Sequence, residues 1–439
     1  MVYDIIIGRS EEDRKKFGLR GTVFIGKQYV KMGRTTSMSN PIYLDVAVSH
    51  VMLICGKRGS GKSYTMGTVA EGIADLEPEV KQNLSIILLD TMGVYWTMKY
   101  PNYKDQELLD QWGLKSKGLD IKIYTPYFYY EQYKEQGIPT DYPFSVKPSE
   151  FSAFDWCMTF EISENSELGV LITKIIGDLN MAGREYSIDD IIRELKNDKD
   201  SDKITIAAAV NHFKSAETWG LFSKEGTPIK EIAKGGQVSV IDASCYATIP
   251  NGWQVKSLLI GLIAKKMFIE RMIARKQEEY EEVTQRTHFF GAPLRKEKKD
   301  IPLVWLVIDE AHEFLPSEGK TVATDPLIAI LREGRQPGIS LILATQQPGK
   351  IHTDVMTQAD IVLSHRITAK LDVDALGLLM QSYMREGLTQ QLDALPRVNG
   401  AGILFDDTNE RLYPIQIRPR FTWHGGAAPE AIHEEKKVF

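Results

Sequence analysis

Short apolar runs alternate along most of the chain with segments whose apolar residues recur at helical spacing. The short runs fit buried strands, and the periodic segments fit helices with one apolar face. Strands that are apolar throughout and are separated by helices are typical of a parallel sheet covered on both faces. The pattern therefore predicts an α/β fold with a mostly parallel central sheet. The predicted strands lie at residues 51–55, 86–89, 121–124, 238–241, 303–308, 341–343, 361–363 and 402–405.

The pattern also divides the chain into regions. Residues 1–48 contain strand-like runs at 22–26 and 42–44, and we expect them to form a small, barrel-like β-rich domain. Residues 49–424 would form the main domain. Within it, strand signals fade over about 148–234 and helical patterns dominate, so this stretch is interpreted as a helical insertion.

The second half of the chain contains one long predicted helix, at residues 253–280. Residues 287–300 are rich in charge and are expected to form an exposed loop. The last residues, 425–439, are expected to be a flexible tail. The helix carries an apolar stripe that is most simply explained by core packing, formed by Leu258, Leu259, Leu262, Ile263 and Met267.

Composition narrows the class of protein. The 439 residues are 43% hydrophobic and 26% charged, as in ordinary globular proteins. No apolar run approaches the roughly 18 residues that a membrane span needs, and the N-terminus does not resemble a signal peptide, so we predict a cytoplasmic protein without a membrane partner. The three cysteines lack C-x-x-C spacing, which favours neither a disulfide framework nor a zinc site. A net charge of −6 means that any contact with DNA must come from local basic residues.

The most specific motif is a phosphate-binding loop at residues 56–63, which match G-x-x-x-x-G-K-[ST] without a mismatch. The loop lies between a predicted strand and a predicted helix, so the free N–H groups of the helix would face phosphate. Lys62 would reach the β- and γ-phosphates, and the Ser63 hydroxyl would complete the Mg²⁺ shell. The sequence therefore predicts binding of ATP with Mg²⁺. The predicted binding residues are Gly56, Lys57, Arg58, Gly59, Ser60, Gly61, Lys62, Ser63 and Tyr64.

Two carboxylates follow the predicted strand at residues 303–308. In an ATPase with a phosphate loop, Asp309 would hold Mg²⁺ through water, together with Ser63. Glu310 would orient and deprotonate the attacking water. Residues 309–312 also spell the DEAH box of superfamily 2 helicases, which remains an alternative. That alternative requires the two motifs to lie closer together, and too few residues follow Glu310 for a second complete ATPase lobe.

Three further segments carry a family resemblance. They are SNPIYL at residues 39–44, LREGRQPG at 331–338 followed by a strand and ATQQP at 344–348, and RPRFTWHGG at 418–426. Together with the phosphate loop, these segments resemble the HerA family of the FtsK–HerA hexameric ATPases. The resemblance implies a RecA-like ATPase domain and a ring of six identical subunits that drives double-stranded DNA through a central pore. It also implies a partner nuclease or other effector, in DNA end processing or phage defence.

The resemblance also assigns site residues. Phosphoryl transfer needs extra positive charge at the γ-phosphate, which a neighbouring subunit can supply as an arginine finger. Arg335 is the first candidate and Arg332 the second, although Arg332 would also complement the dipole of its own helix. Gln346 matches a polar sensor of the γ-phosphate or its water, with a hydrogen bond to backbone as the alternative. One of Arg418, Arg420 and His424, in the C-terminal segment, is expected to approach a nucleotide, either that of its own subunit or a neighbour's.

Two functions follow from the sequence. The first is an ATPase that couples ATP hydrolysis to translocation along double-stranded DNA. The second is a nucleotide-dependent assembly platform that activates an effector with little processive movement. In a ring motor the DNA contacts are made to phosphates by lysine and arginine and need no base readout. The basic residues Lys350, Arg366, Lys370 and Arg385 follow late strands, but the sequence alone does not single out any of them.

Overall fold

The architecture is a single large sheet with helices packed on it. A computed structural model describes residues 3–32, 35–288, 301–367, 369–378, 392 and 394–426. Among these residues, thirteen strands form one continuous sheet. The strands are β1 Ile5–Ile7, β2 Thr22–Met32, β3 Thr35–Asp45, β4 Val51–Cys55, β5 Leu84–Asp90, β6 Ile121–Pro126, β7 Tyr142–Phe144, β8 Val238–Asp242, β9 Leu303–Ile308, β10 Ile339–Thr345, β11 Ile361–His365, β12 Ala401–Asp406 and β13 Arg411–Ile417.

The strand order is β1-β3-β2-β13-β12-β11-β4-β10-β9-β5-β8-β6-β7. Every pairing from β11 through β7 is parallel, so the carboxyl ends of these strands all lie at one edge of the sheet. The predicted α/β class with a mostly parallel sheet is confirmed. β9 and β10 lie between β4 and β5, although they come much later in the chain. This order brings the two chemical motifs together.

The N-terminal strands continue the central sheet. β2 pairs antiparallel with β3 and with β13, through partners such as Ile415 and Gln28. β1, which the pattern analysis did not predict, pairs parallel with β3 at the sheet edge. The expected barrel-like piece is therefore β-rich and, among the described residues, hydrogen-bonded in line with the main sheet. Its division from the rest at residue 48 stays a prediction.

Helices cover both faces of the sheet. Along β4, Leu53 and Cys55 point into one apolar core, and Met52 and Ile54 point into the other. This alternation is expected of a strand that is buried on both sides. The helices are α1 Glu11–Phe17, α2 Lys62–Ala74, α3 Pro78–Lys81, α4 Gln106–Gln111, α5 Tyr127–Glu135, α6 Ala153–Thr159, α7 Glu167–Met181, α8 Ile188–Asn197, α9 Lys203–Glu217, α10 Ile229–Ile232, α11 Gly252–His288, α12 Thr324–Glu333, α13 Thr353–Gln358 and α14 Lys370–Leu378.

The stretch predicted to be a helical insertion contains α6 to α10 between β7 and β8. Its apolar residues pack into the larger of the two cores, with Trp156 and Phe213 fully buried and their rings 5.0 Å apart. Aromatic pairs of this kind add packing energy beyond the area they bury. The helices are therefore packed on the sheet, and the boundaries of the insertion as a unit stay a prediction.

Helix α11 is longer than its pattern predicts. It continues to His288, so the first two residues of the predicted loop, Thr287 and His288, are helical. The rest of that loop, 289–300, and the predicted tail from residue 427 onward lie outside the described residues. The predicted apolar stripe is confirmed, since Leu258, Leu259, Leu262, Ile263 and Met267 are all buried. Across the described ranges, no helix combines the length and the apolar character needed to cross a membrane.

Candidate active site

The candidate site lies at the carboxyl edge of the parallel strands. The phosphate loop follows β4, Asp309 follows β9, and Gln346 follows β10. Because β4, β10 and β9 are parallel neighbours, the residues that follow them meet at one edge of the sheet. Ligands of open α/β sheets bind in this position. The topology therefore assembles the predicted site from segments that are far apart in the sequence.

The phosphate loop has the backbone shape that its glycines allow. Gly59 and Gly61 have φ angles of +75° and +110°, values that residues with a Cβ rarely adopt. At Gly56 a Cβ would collide with the side chains of Ser60 and His365. Helix α2 starts at Lys62 with no side-chain cap, which leaves its first N–H groups free to bind phosphate. The loop therefore has the shape of a phosphate cradle.

The predicted magnesium ligands are in contact with each other. The Ser63 hydroxyl donates a hydrogen bond to Oδ2 of Asp309 over 2.7 Å. The Lys62 ammonium is buried and donates to the Lys57 carbonyl over 3.3 Å. Burial lowers the pKa of Lys62, while the carboxylates of Glu310 and Asp309 oppose that change. One hydroxyl, one carboxylate and nearby phosphate oxygens form the kind of site that Mg²⁺ accepts, so these residues fit the ion.

Glu310 is held in an unusual conformation. Its φ angle is +51°, a left-handed conformation that costs a residue with a Cβ some free energy. The Gln346 side-chain amide donates a hydrogen bond to Oε1 of Glu310. Oε2 is buried and has no hydrogen-bond partner among the described residues. Burial raises the pKa of Glu310, and the Asp309 carboxylate adds to the increase. His312 Nδ1 lies 3.6 Å from Oε2, so this oxygen has hydrogen-bonding capacity that the described residues leave unused.

The Gln346 side chain thus contacts the proposed catalytic carboxylate. Its hydrogen bond goes to this side chain and not to a backbone group, which was the alternative. The next residues add a contact that the motif analysis did not predict. His312 Nδ1 lies 3.1 Å from the Thr345 hydroxyl, and His312 Nε2 lies 3.3 Å from the Gln347 amide. These bonds tie the turn after β9 to the end of β10. Burial lowers the pKa of His312, and the charges of Lys350 and Lys62 add to that change.

The two arginine-finger candidates lie away from this site. Both precede β10, whereas Gln346 follows it, and a seven-residue strand spans roughly 20 Å. Arg332 is exposed and pairs through Nε with Oδ2 of Asp354 over 2.6 Å. Arg335 is exposed, and it has no hydrogen bond or ion pair in the part of the chain that the structure describes. Neither can therefore serve the site of its own chain.

The C-terminal arginines have a structural role that the sequence interpretation missed. Arg418 and Arg420 are buried and bind Glu71 on α2, with Nη1–Oε2 and Nε–Oε1 distances of 3.1 and 2.8 Å. The Glu71 carboxylate thus binds both cations within their own chain, and the expectation that a residue of this segment approaches a nucleotide stays a prediction. His424 lies next to the site, its ring edge-on to the Tyr64 ring at 5.1 Å.

Helix α12 begins at Thr324, after Ala323, and ends at Glu333, before Gly334. Thr324 donates its hydroxyl to the Phe314 carbonyl, which gives the helix start a fixed position near the turn after β9.

Among the basic residues considered for DNA contact, Lys350, Arg366 and Lys370 are exposed, and Arg385 lies outside the described residues.

Comparisons with known proteins agree with this geometry. The family model described as "Helicase HerA, central domain" matches residues 30–260, and the model of zonular occludens toxin (Zot) matches residues 255–386. A probable DNA double-strand break repair helicase HerA of Methanocaldococcus jannaschii is 22% identical over 360 residues, which are 75% of this chain and 65% of that protein. The DNA double-strand break repair helicase HerA of Pyrococcus furiosus is 26% identical over 148 residues, 32% of this chain and 26% of that protein.

The chain therefore spans less than two thirds of the length of these relatives. Among solved structures, VirB4 of Thermoanaerobacter pseudethanolicus superposes with a TM-score of 0.54 at 11% identity, over 91% of this chain and 97% of that one. This likeness shows a common α/β fold. Because the model of the HerA central domain matches more than half of the residues, the chain belongs to the HerA family.

Proposed function

We propose that this protein is an ATPase that couples ATP hydrolysis to translocation along double-stranded DNA. The observation that carries the proposal is a set of two side-chain contacts at the carboxyl edge of the adjacent strands β4, β10 and β9. Ser63 contacts Asp309, and Gln346 contacts Glu310. The first pair suits a metal-bound triphosphate and the second suits an attacking water, which together are the requirements of phosphoryl transfer to water. Relatives that are named as DNA helicases support the proposal that DNA is the polymer along which the protein moves.

The site suggests a division of roles. The N–H groups at the start of α2 and the Lys62 ammonium bind the phosphates. Ser63 and Asp309 would hold Mg²⁺, which supplies positive charge to the β- and γ-phosphate oxygens. Glu310 Oε2 accepts the proton of the attacking water, and Gln346 keeps the other oxygen of that carboxylate in place. A raised pKa of Glu310 makes the carboxylate a better proton acceptor near neutral pH.

Completion of the site by a second subunit is part of the proposal. Arg335 is an exposed cation that lies far from its own phosphate loop, and the transition state of hydrolysis needs positive charge beyond Lys62 and the metal. A ring of identical subunits, six in the proposed assembly, brings Arg335 of one copy to the site of the next. Arg332 is the weaker candidate because its guanidinium already pairs with Asp354.

The direct test measures ATP hydrolysis with and without duplex DNA, and displacement of a third strand from a triplex. We expect stimulation by DNA and displacement that depends on ATP. Glu310→Gln should bind ATP and lose turnover, whereas Lys62→Ala should lose binding as well. If hydrolysis is indifferent to DNA and displaces nothing, while a partner nuclease or effector still depends on the ring, the assembly platform is the correct function.

The subunit-sharing step has its own experiment. Rings mixed from Arg335→Ala and Lys62→Ala subunits contain some sites with both an intact phosphate loop and an intact neighbouring arginine. Such mixtures should regain part of the hydrolysis that each variant lacks alone. A parallel mixture with Arg332→Ala tests the second candidate. Failure of every mixture to recover activity would contradict an arginine supplied by the neighbouring subunit.

The pathway is proposed from the same relatives. Because they are named as double-strand break repair helicases, we propose that this protein works in DNA end processing with a nuclease, and phage defence with another effector is the alternative. The described basic residues that we consider for contact with DNA are all exposed: Lys350, Arg366 and Lys370. If they bind phosphates, replacing one of them should reduce by about one the slope of the logarithm of the DNA-binding constant against the logarithm of salt concentration.

A further inference from the structure

A buried lysine on α11 has no role in the mechanism above. Lys256 is 8% exposed, although it is one turn from the start of the helix. Removing an ammonium group from water costs several kcal/mol unless hydrogen bonds and opposite charges compensate. Lysine is rarely buried to this extent without such partners. The groups around its ammonium therefore indicate why it occupies this position.

The first partner is the loop that follows β5. The Lys256 ammonium donates a hydrogen bond to the Thr91 carbonyl over 2.9 Å. Immediately before it, the Asp90 carboxylate accepts the backbone N–H groups of Gly93 and Tyr95 over 2.7 and 2.8 Å. Asp90 thus acts as the strand-end cap that its position suggests. Lys256 thus binds the loop at Thr91, whereas the Asp90 carboxylate binds it at Gly93 and Tyr95.

The loop after β5 contacts the phosphate loop. Tyr95 is buried, and its hydroxyl lies 3.5 Å from the carbonyl of Ser63, to which it donates. Ser63 is the residue whose hydroxyl contacts Asp309. Gly93 has a φ of +70° and packs against Ser244 after β8, so the loop has little freedom on that side. A shift of Thr91 would therefore be transmitted to Ser63 through Tyr95.

The second partner is the turn after β9, Ala311–Glu313. Burial lowers the pKa of Lys256, and the Glu313 carboxylate is the largest charge that opposes this change. Burial raises the pKa of Glu313 in turn, and Lys256 is the main charge that opposes it. The Glu313 N–H donates to the Glu310 carbonyl over 2.9 Å, so this turn sets the backbone of the proposed catalytic carboxylate.

We propose that Lys256 is a positioning residue that holds the loop after β5 beside the phosphate loop. Through Thr91 it holds the Tyr95 contact with Ser63. Its ammonium forms no ion pair with Glu313 within 4 Å, so the attraction between the two charges supports this position without fixing the turn after β9. The inference rests on the proposed function, since it concerns the geometry of ATP hydrolysis. Its effect comes through the loop after β5 and Tyr95.

The test uses Lys256→Met, which keeps the length of the side chain and removes its charge. We expect kcat for ATP hydrolysis to fall about 10- to 100-fold, the range expected when reacting groups are misplaced by about 1 Å. KM and the affinity for a non-hydrolysable ATP analogue should change less than about threefold, because the phosphate cradle is intact. Lys256→Arg should regain most of the lost kcat, since it restores a cation at the same place.

The matched control is Lys276→Met, which removes the same charge from the exposed part of the same helix and should leave kcat unchanged. If Lys256→Met does not fold, Tyr95→Phe decides, because it removes the hydroxyl that contacts the Ser63 carbonyl. A smaller fall in kcat at unchanged analogue affinity is expected. In the double variant the two effects should combine less than additively, because both interrupt the same path to Ser63.

The outcomes separate this inference from the proposed function. Wild-type protein that hydrolyses no ATP contradicts the proposed function. Wild-type protein that hydrolyses ATP, with Lys256→Met or Tyr95→Phe within about twofold of Lys276→Met, contradicts only the role of Lys256. A loss of analogue binding equal to the loss of kcat would also overturn it, since that pattern indicates general damage to the site and not misplacement of reacting groups.

Discussion

Glu71 provides the sharpest test of how the phosphate-loop helix is held. Its side chain is fully buried on α2, where it binds the guanidinium groups of Arg418 and Arg420 and accepts the backbone N–H groups of Phe421 and Thr422, each over 3.2 Å. Replacing Glu71 with Ala would leave two buried cations without their counterion. We therefore expect a large loss of stability, and partial release of the C-terminal segment from α2.

The size of the loss can be estimated from the burial. Removing one partner of a buried, hydrogen-bonded ion pair costs about 3–5 kcal/mol, mostly because the remaining charge stays buried. Unfolding entropy is about 2.1 cal/mol/K per residue, or roughly 0.9 kcal/mol/K for 439 residues, if unfolding is cooperative. Glu71→Ala should therefore lower the midpoint of thermal unfolding by about 3–5 °C.

The matched control is Glu79→Ala. Glu79 also pairs with an arginine, but its ion pair with Arg20 is 3.2 Å long and its side chain is 79% exposed. Exposed pairs contribute little, so this variant should unfold at nearly the wild-type temperature. A second assay is limited trypsin digestion, in which cleavage after Arg420 should become faster only in Glu71→Ala. Equal unfolding temperatures of the two variants, with Arg420 still protected, would refute the reasoning.

Three other predictions concern the site and the packing of α2. Gln346→Ala frees the Glu310 carboxylate, so kcat should fall at least about tenfold with analogue binding retained. Burial lowers the pKa of His365 from 6.5 to about 4, so the unfolded state binds its proton first as the pH falls. Wild-type stability should decrease between pH 6.5 and 4, and His365→Gln should flatten that decrease in thermal unfolding. Gly72→Ala should destabilise the fold, because its Cβ would overlap the Val23 side chain, and a shift in unfolding midpoint below about 1 °C would contradict this.

The features that sequence predicted are local ones. The phosphate loop and the carboxylates after β9 are contiguous motifs, and each predicted apolar run coincides with a strand. Helix α1 has a local signal in the sequence, because the Ser10 hydroxyl accepts the backbone N–H of Asp13 and donates to the Asp13 carboxylate. Its side chains are exposed throughout, so apolar periodicity alone could not find it. β7 contains Pro143, which weakens a strand pattern and fits an edge position.

The features that sequence did not predict depend on contacts between distant segments. Glu71 lies 347 residues from Arg418 and 349 from Arg420, so nothing local connects them. A cation that binds a buried carboxylate and a cation that binds phosphate look the same in a single sequence. The same limit applies to Lys256, for which the sequence predicts only a position in a helix. Only the fold shows that its ammonium faces a loop that contacts Ser63.

The strand order explains why the site needs both halves of the chain. The HerA central-domain match ends at residue 260 and contains the phosphate loop, whereas Asp309, Glu310 and Gln346 lie in the separately matched segment 255–386. In the sheet, β10 and β9 are inserted between β4 and β5. Without them, Ser63 has no carboxylate to contact, and the loop after β5 loses the neighbouring strand that aligns it. A fragment that ends near residue 260 therefore lacks both the metal-binding carboxylate and the packing that positions the phosphate loop, and we expect it to bind no nucleotide.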